Sequence, residues 1–546
     1  MKFPDGLPIG DGWVITRETA DVVFPYDGST VAQAPVGTAE LARRAVDEAL
    51  KIAPVMAKVP SHARRTAFMG AHDALKARQE EFEQLLVLET GKPLVDCKVE
   101  VARTLVTLAT AAEEVARLHG ETVPLDLMPS GEGLIGFWTR RPIGVVVGIT
   151  GFNYPLLLAA HKIAPALAAG CPIIVKPAPA TPLATLWLVD LIRGTGALPA
   201  SAVQLVTGDV EVGRTLVEDR RIGAVSFTGS AAAGHAIARN AAPTKVLLEL
   251  GSNAALVVAA DADLAAAADA VVRGGYYASG QACISVQRVL VEASVREEFV
   301  GLLTERMSTV VVGDPRSADT RVAPLIDGRS TARVLDWVEK AVEAGATLVT
   351  GGRLEENEPG QTIPKVSNQP TPEAGTQAAP EADGPTALLA PDAGSQAAPG
   401  VGGQAVPGVG GQAAPEVGGP TAPYECGLAI APTVLTDVPE GAMVWDEEIF
   451  GPVVCVREVA DLDAAFDAVN ASRYGLHVSV FTRSLSTAFA AIDRLDAGGV
   501  VVNEVPGFRA DNMPYGGVKD SGIGREGPRF AIEELTVTRM AIIRPH

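Results

Sequence analysis

Cys283 closes the run Gly280-Gln281-Ala282-Cys283 and lies 34 residues after Glu249, in Leu248-Glu249-Leu250-Gly251. A thiol and a carboxylate are the two groups needed to make a thioester and then hydrolyse it, one as nucleophile and the other as the base that activates water. Oxidising an aldehyde by hydride transfer first requires a tetrahedral adduct, and cysteine is the side chain best suited to form one. The oxyanion of that adduct needs donors where charge develops, each worth about 3–4 kcal/mol of barrier. Asn153, in Gly151-Phe152-Asn153-Tyr154-Pro155, is the candidate donor, with the backbone amide of Cys283 beside it. An Asn before Tyr-Pro also suits a turn or a helix cap. Burial of Glu249 between Leu248 and Leu250 would raise its proton affinity and make it a better base than an exposed glutamate.

Elements must hold these groups in place. From Ile143 the chain alternates short β-rich runs with helical stretches: Ile143 to Val147, a helix near Pro155 to Ala168, Pro172 to Val175, a helix near Pro182 to Ile192, Val203 to Val206 and Ala224 to Phe227. Uninterrupted apolar strands separated by helices predict a doubly wound parallel sheet, which binds nucleotides at the carboxyl ends of its strands. The Gly-x-Gly-x-x-Gly fingerprint is absent from the first strand-to-helix turn. Phe227-Thr228-Gly229-Ser230 follows a later strand instead, where a helix starting near Ser230 would aim its amides at a pyrophosphate. A second segment begins near Ser252 and repeats the alternation through Ala254 to Val258, a helix from Leu264 to Arg273, and Val289 to Glu292.

Together with Phe152-Asn153-Tyr154-Pro155, Phe227-Thr228-Gly229-Ser230 and Glu448-Ile449-Phe450-Gly451-Pro452, the Cys283 and Glu249 motifs resemble the aldehyde dehydrogenase superfamily in order, spacing and wording. The resemblance runs from about Phe24 to the C-terminus with one interruption. It implies an α/β fold with two doubly wound parallel-sheet domains and a small oligomerisation sheet. The dinucleotide-binding domain would comprise 1–127 and 142–251, the catalytic domain 252–353 and 425–527, and the oligomerisation segment 128–141 and 528–546.

The same resemblance implies NAD or NADP as cofactor and a small-molecule aldehyde as substrate. Lys176 resembles the residue that holds the adenosine ribose, and Pro179 stands where NAD-preferring relatives often carry glutamate, which leaves the preference open. Ser230 would meet the pyrophosphate, and Glu448 and Phe450 the nicotinamide ribose and ring. Thr150, Phe152, Gly208, Phe227, Thr228, Gly229, Leu250 and Gly251 complete the cofactor residues it implies. Leu250-Gly251-Ser252-Asn253 stands where Leu-Gly-Gly-Lys is usual, as in a branch that includes lactaldehyde-like and phosphonate or sulfonate aldehyde dehydrogenases. Phe152 replaces a frequent Trp.

Substrate signals are thinner. Arg509 lies in a segment resembling the substrate-entrance loop of that branch, with Asn512 in place of a neighbouring histidine, and Arg103 could point from a helix toward the same tunnel. A bidentate arginine favours a carboxylate, phosphonate or sulfonate tail. The strand-like Leu535 to Ile543 and the stretch Met128 to Arg141 look like an oligomerisation sheet, so a homodimer or homotetramer is expected.

Residues 354–424 break the pattern. An eight-residue repeat of Gly, Pro, Gln and Ala begins at Gly394 and recurs at Gly402 and Gly410. Such composition cannot offset its ordering entropy, which predicts disorder. Removing the tract leaves 475 of the 546 residues, the size of an uninterrupted subunit. A long insertion in a surface loop costs closure entropy that grows only logarithmically.

Composition sets outer bounds. The 65 acidic against 45 basic residues, a net charge of −20, argue against nucleic-acid or anionic-membrane partners. Apolar runs fall well short of the roughly 20 residues a membrane helix needs. The first residues carry no targeting pattern, so a soluble, cytoplasmic protein is expected. Five scattered cysteines have no metal-ligand spacing, and no metal site is expected. The rival readings are a narrow dehydrogenase for an anionic semialdehyde, and a non-enzymatic scaffold on the same fold.

Overall fold

The computed structural model describes residues 3–355 and 429–545. Apart from Leu354 and Glu355, the repeat tract expected to be disordered lies outside the described residues. The chain on either side of it is joined by an antiparallel bridge between Leu354 and Ile430. The Glu355 amide donates to the Ala429 carbonyl at 2.9 Å, and the Ala431 amide to the Arg353 carbonyl at 2.8 Å.

Five short aliphatic strands form the parallel part of a six-stranded sheet in the order Lys245–Glu249, Ala224–Thr228, Val146–Ile149, Ile173–Lys176, Val203–Leu205. The two-residue strand Gly522–Ile523 closes the Lys245–Glu249 edge in antiparallel sense. The central strands are buried on both faces, which explains why their sequences do not alternate. Chain order reverses between Val146–Ile149 and Ala224–Thr228, so a crevice opens beyond their carboxyl ends. The loops that leave those ends carry Phe152-Asn153 and Gly229-Ser230.

A second sheet has seven strands in the order Thr347–Thr350, Thr433–Thr436, Val453–Val459, Arg288–Glu292, Ala255–Val258, His477–Phe481, Gly499–Val502. All are parallel except the antiparallel edge Thr347–Thr350. The chain passes from one sheet to the other through Leu250 to Ala254. That crossover sets the carboxyl ends of the first sheet beside the amino ends of the second, where the Cys283 loop enters Arg288–Glu292. Asn253 anchors the crossover: its amide donates to the Trp445 carbonyl at 2.9 Å, and its side-chain oxygen accepts from the Ser472 hydroxyl at 2.9 Å.

The helix Pro155–Ala169 is apolar nearly all round and buried almost throughout. Proline at its first position has φ already suited to a helix. Its orphan amides at Leu156 and Leu157 donate to Glu100 Oε1 at 2.9 and 3.1 Å, and Glu100 is itself paired with buried Lys92. Thr536–Ile543, Ile135–Pro142 and Glu121–Thr122 make a separate three-stranded antiparallel sheet. It leaves Ile135, Val537, Met540, Ile542 and Ile543 exposed. Among the described residues no helix is long and apolar enough to cross a membrane.

Candidate active site

A cavity of about 410 Å³ lies where the two sheets meet. Its walls bring together Asn153, Glu249 and Cys283 with Phe152, Thr228, Gly229, Ser230, Leu250, Gly251, Glu448, Phe450, Arg103 and Arg509. Thr150, Lys176, Pro179, Gly208 and Phe227 are not in this wall. Thr150 follows the strand Val146–Ile149 and Lys176 ends the adjacent one, with the Thr150 amide donating to the Lys176 carbonyl at 3.2 Å. Gly208 precedes the helix Val210–Val217, Phe227 packs under Gly229, and Pro179 is exposed.

Cys283 is half-buried on a loop whose backbone is unusual. Ala278, Ser279 and Gly280 have φ of +48°, +56° and +75°. Consecutive left-handed non-glycine residues cost free energy and persist only when their surroundings fix them. Here the Ala278 amide donates to Asp96 Oδ2 at 2.9 Å, the Ala323 amide donates to Ser279 Oγ at 2.9 Å, and the Ile326 amide donates to Gln281 Oε1 at 3.0 Å. Asn153 Nδ2 donates to the Gln281 carbonyl at 2.8 Å, which ties the candidate oxyanion donor to the thiol loop. Burial pushes the Cys283 thiol up to about 11, partly offset by a hydrogen bond with the Tyr515 hydroxyl.

Asp96 therefore holds the thiol loop without touching the cavity. Burial raises its carboxyl to about 6, against the Ala278 hydrogen bond and nearby Lys92, so it is largely ionised near neutral pH. Asp96→Ala removes the acceptor at the strained turn, and displacements of about 1 Å in a reacting group cost roughly 100-fold. Steady-state kinetics on this variant are expected to show kcat/KM down about 10- to 100-fold with cofactor binding unchanged. An unaltered kcat/KM would mean that the loop holds its shape without Asp96.

Glu249 is buried, and its Oε2 has no hydrogen-bond partner among the described residues. Burial raises its proton affinity well above the ordinary carboxylate, and the charge of nearby Glu526 adds to this. Glu526 lies in the opposite environment. Burial acts to raise it, but Lys162 at 3.3 Å, His161 at 3.3 Å and Arg509 at 3.2 Å outweigh that and hold it ionised. Two neighbouring carboxylates are thus driven apart, one kept as an anion and the other left able to take a proton.

The cavity's other end holds the arginines. Arg103 grips Asp511 with Nε at 3.2 Å and a terminal nitrogen at 2.7 Å. The Arg509 guanidinium stacks over the Tyr515 ring at 3.8 Å, and its Nε is buried without a hydrogen-bond partner among the described residues. Asn512 is exposed, and the histidine in the cavity wall is His161, on Pro155–Ala169. None of the sequence motifs above points to a role for His161, Lys162, Asp511, Tyr515, Glu526 or Asp96. A signal existed for two of them: His161-Lys162 interrupts an otherwise apolar helix, and buried polar pairs of that kind need partners.

At and facing the carboxyl ends of the first sheet lie residues that could hold a dinucleotide. Ser230 caps the eleven-residue helix Ala231–Ala241, whose first amides open toward the crevice. A Cβ at Gly229 would lie 2.5 Å from the Phe227 ring, so only glycine lets the backbone pass there. Lys176 is buried, its ammonium has among the described residues one hydrogen-bond partner, the Pro177 carbonyl at 3.5 Å, and burial lowers it to about 8. An ammonium so placed could take hydroxyl oxygens of a ligand as partners. Glu448 Oε1 accepts from the Ser252 amide at 3.0 Å, and burial raises this carboxyl to about 7. Phe152 and Phe450 meet edge to face, with centroids 5.7 Å apart.

The chain belongs to the aldehyde dehydrogenase family of oxidoreductases, whose model matches residues 13–392 and 393–541. It is 34% identical over 539 residues to 3-sulfolactaldehyde dehydrogenase of Priestia aryabhattai, covering 98% of each chain. Among solved structures it resembles aldehyde dehydrogenase 21 from Physcomitrella patens in complex with its reaction product succinate, with TM-score 0.83, 31% identity and coverage of 99% and 98%. It also resembles glyceraldehyde-3-phosphate dehydrogenase from Methanocaldococcus jannaschii complexed with NADP, with TM-score 0.81, 30% identity and coverage of 97% and 100%.

Proposed function

We propose that the protein oxidises an aldehyde to a carboxylic acid with NAD or NADP, through a thioester on Cys283 that Glu249 helps to hydrolyse. The observation that carries this reading is the single cavity lined by a thiol, a buried carboxylate of raised proton affinity and a side-chain amide bonded to the thiol loop. Cys283 attacks the aldehyde carbon, and the carbonyl electron pair moves onto oxygen. Asn153 and the Cys283 amide stabilise that charge. The bound nicotinamide supplies the hydride acceptor. Glu249 then takes a proton from water as the water attacks the thioester, and Cys283 leaves as thiolate. Lys176, Ser230, Glu448 and Phe450 hold the cofactor, with Thr150, Pro179, Gly208, Phe227 and Thr228 around it.

We assign cofactor binding to the first sheet, catalysis to the second, and assembly to the three-stranded sheet. The exposed Ile135, Met540 and Ile542 of that third sheet call for cover by another copy, as a homodimer or homotetramer. Following cofactor reduction by near-ultraviolet absorbance, with NAD and NADP in parallel and a panel of aliphatic, aromatic and acid-tailed aldehydes, tests the reading. Folded protein that bound neither cofactor would overturn it.

An acid-tailed aldehyde is the second reading. Arg103 and Arg509 both line the cavity, and the relatives' names carry a sulfo group, succinate and a phosphate. A hydrogen bond to a charged group is worth about 1.5–3 kcal/mol, or roughly 10- to 100-fold. Arg103→Leu is therefore expected to raise KM for succinate semialdehyde about 10- to 100-fold while leaving propanal nearly unaffected. Equal changes for both substrates would remove the case for anion recognition.

A further inference from the structure

We propose that the Tyr515 hydroxyl is a further catalytic group, one that donates a hydrogen bond to the Cys283 sulfur and stabilises it both as attacking nucleophile and as leaving group. This rests on Cys283 being the nucleophile.

Tyr515 Oη lies 3.3 Å from Cys283 Sγ, and among the described residues neither atom has another hydrogen-bond partner. Tyr515 is 3% exposed, and a buried phenol usually finds a partner for its hydroxyl. Phenylalanine would fill the same volume, so packing does not require the oxygen. The ring is fixed from several directions. His477 meets it edge to face with centroids 5.0 Å apart, the Arg509 guanidinium covers it at 3.8 Å, and the Tyr515 and Glu526 backbones exchange hydrogen bonds of 3.1 and 2.6 Å. A donor held this firmly needs no reorganisation when the sulfur becomes charged.

The sulfur's surroundings favour such a donor. Burial disfavours the thiolate, and Glu448 and Glu249 add repulsion, with Tyr515 and Arg509 as the opposing influences. Tyr277 also stands close, with a buried hydroxyl that has no hydrogen-bond partner among the described residues. In the forward step the Cys283 proton passes to solvent, which leaves Glu249 as carboxylate for the later attack of water. Sγ accepts from Tyr515 O–H and then forms its bond to the carbonyl carbon, whose π pair moves to oxygen. The sulfide so formed is a weak acceptor. In hydrolysis the C–S bond breaks and its pair returns to sulfur, which accepts from Tyr515 again. The phenol keeps its proton throughout, since burial and the Cys283 charge hold it well above the ordinary tyrosine value.

The test is the rate of Cys283 alkylation by iodoacetamide in the full chain, read by mass spectrometry of the Cys283 peptide over roughly pH 7–12. Tyr515→Phe should move the alkylation midpoint up by about one pH unit and slow alkylation at neutral pH about tenfold, with thermal melting unchanged. Replacing Tyr515 with 3-fluorotyrosine, a stronger donor, should move the midpoint down; packing changes do not produce opposite shifts. An unmoved midpoint in either variant overturns the proposal. Alkylation reports on the thiol whether or not an aldehyde is turned over. If Cys283→Ala retained dehydrogenase activity, the nucleophile assignment would fail separately from the role of Tyr515.

Discussion

Glu249→Gln is expected to leave a protein that completes half of its reaction. Mixed rapidly with cofactor and aldehyde, it should release close to one equivalent of reduced cofactor per site and then turn over roughly 10²- to 10⁴-fold more slowly than the parent, the range a general base contributes. Glutamine keeps the shape of the side chain and still lines the cavity, so the thioester forms. It cannot take the proton of the attacking water. The pH profile carries a second signature. Glu249 has a proton affinity raised by burial and by neighbouring Glu526, so its basic form becomes populated only as pH rises through that elevated value. Deacylation should therefore quicken with rising pH and level off above it, and Glu249→Gln should lose that limb. Stopped-flow absorbance reads both. A variant with neither burst nor turnover would place Glu249 earlier, as acceptor of the Cys283 proton.

The groups legible in the sequence are those whose chemistry sits in short local runs. Cys283 and Glu249 each lie in a four-residue motif, and Ser230 stands where a strand meets a helix, so spacing and residue type suffice. The parallel strands were legible too, because strands buried on both faces are uninterrupted aliphatic runs. What the sequence hid depends on contacts between distant segments. Arg103 was visible as a tunnel arginine, but its partner Asp511 lies 408 residues away, and nothing local marks the pair. Glu526 reads as a surface carboxylate until Lys162, His161 and Arg509 converge on it. Asp96 is an ordinary residue in the first turn of Leu94–Glu114, and only the fold brings it beneath Ala278. Ser252-Asn253 is a visible departure from the usual Leu-Gly-Gly-Lys wording. The structural role of Asn253, bonding the crossover to Trp445 and Ser472, emerges only once both sheets are formed.

Cys283→Ala is expected to have the largest effect of any single change, a loss of roughly 10⁴-fold or more in kcat, because the adduct through which hydride is released can no longer form. Folding should be little affected, since Cys283 is half-buried and its side chain makes, among the described residues, one hydrogen bond, to Tyr515. Cofactor affinity measured by titration should be retained, as Lys176 and Ser230 lie on separate elements. The sharper test is the pairing of this substitution with Glu249→Gln. Residues serving one covalent sequence are not additive, because removing the first step makes the second irrelevant. Cys283→Ala/Glu249→Gln should therefore be no slower than Cys283→Ala alone, although Glu249→Gln by itself costs orders of magnitude. Additive losses would mean that the two side chains act in independent steps, and the thioester route would have to be abandoned. Full activity in Cys283→Ala would instead leave the cavity as a binding site whose chemistry lies elsewhere.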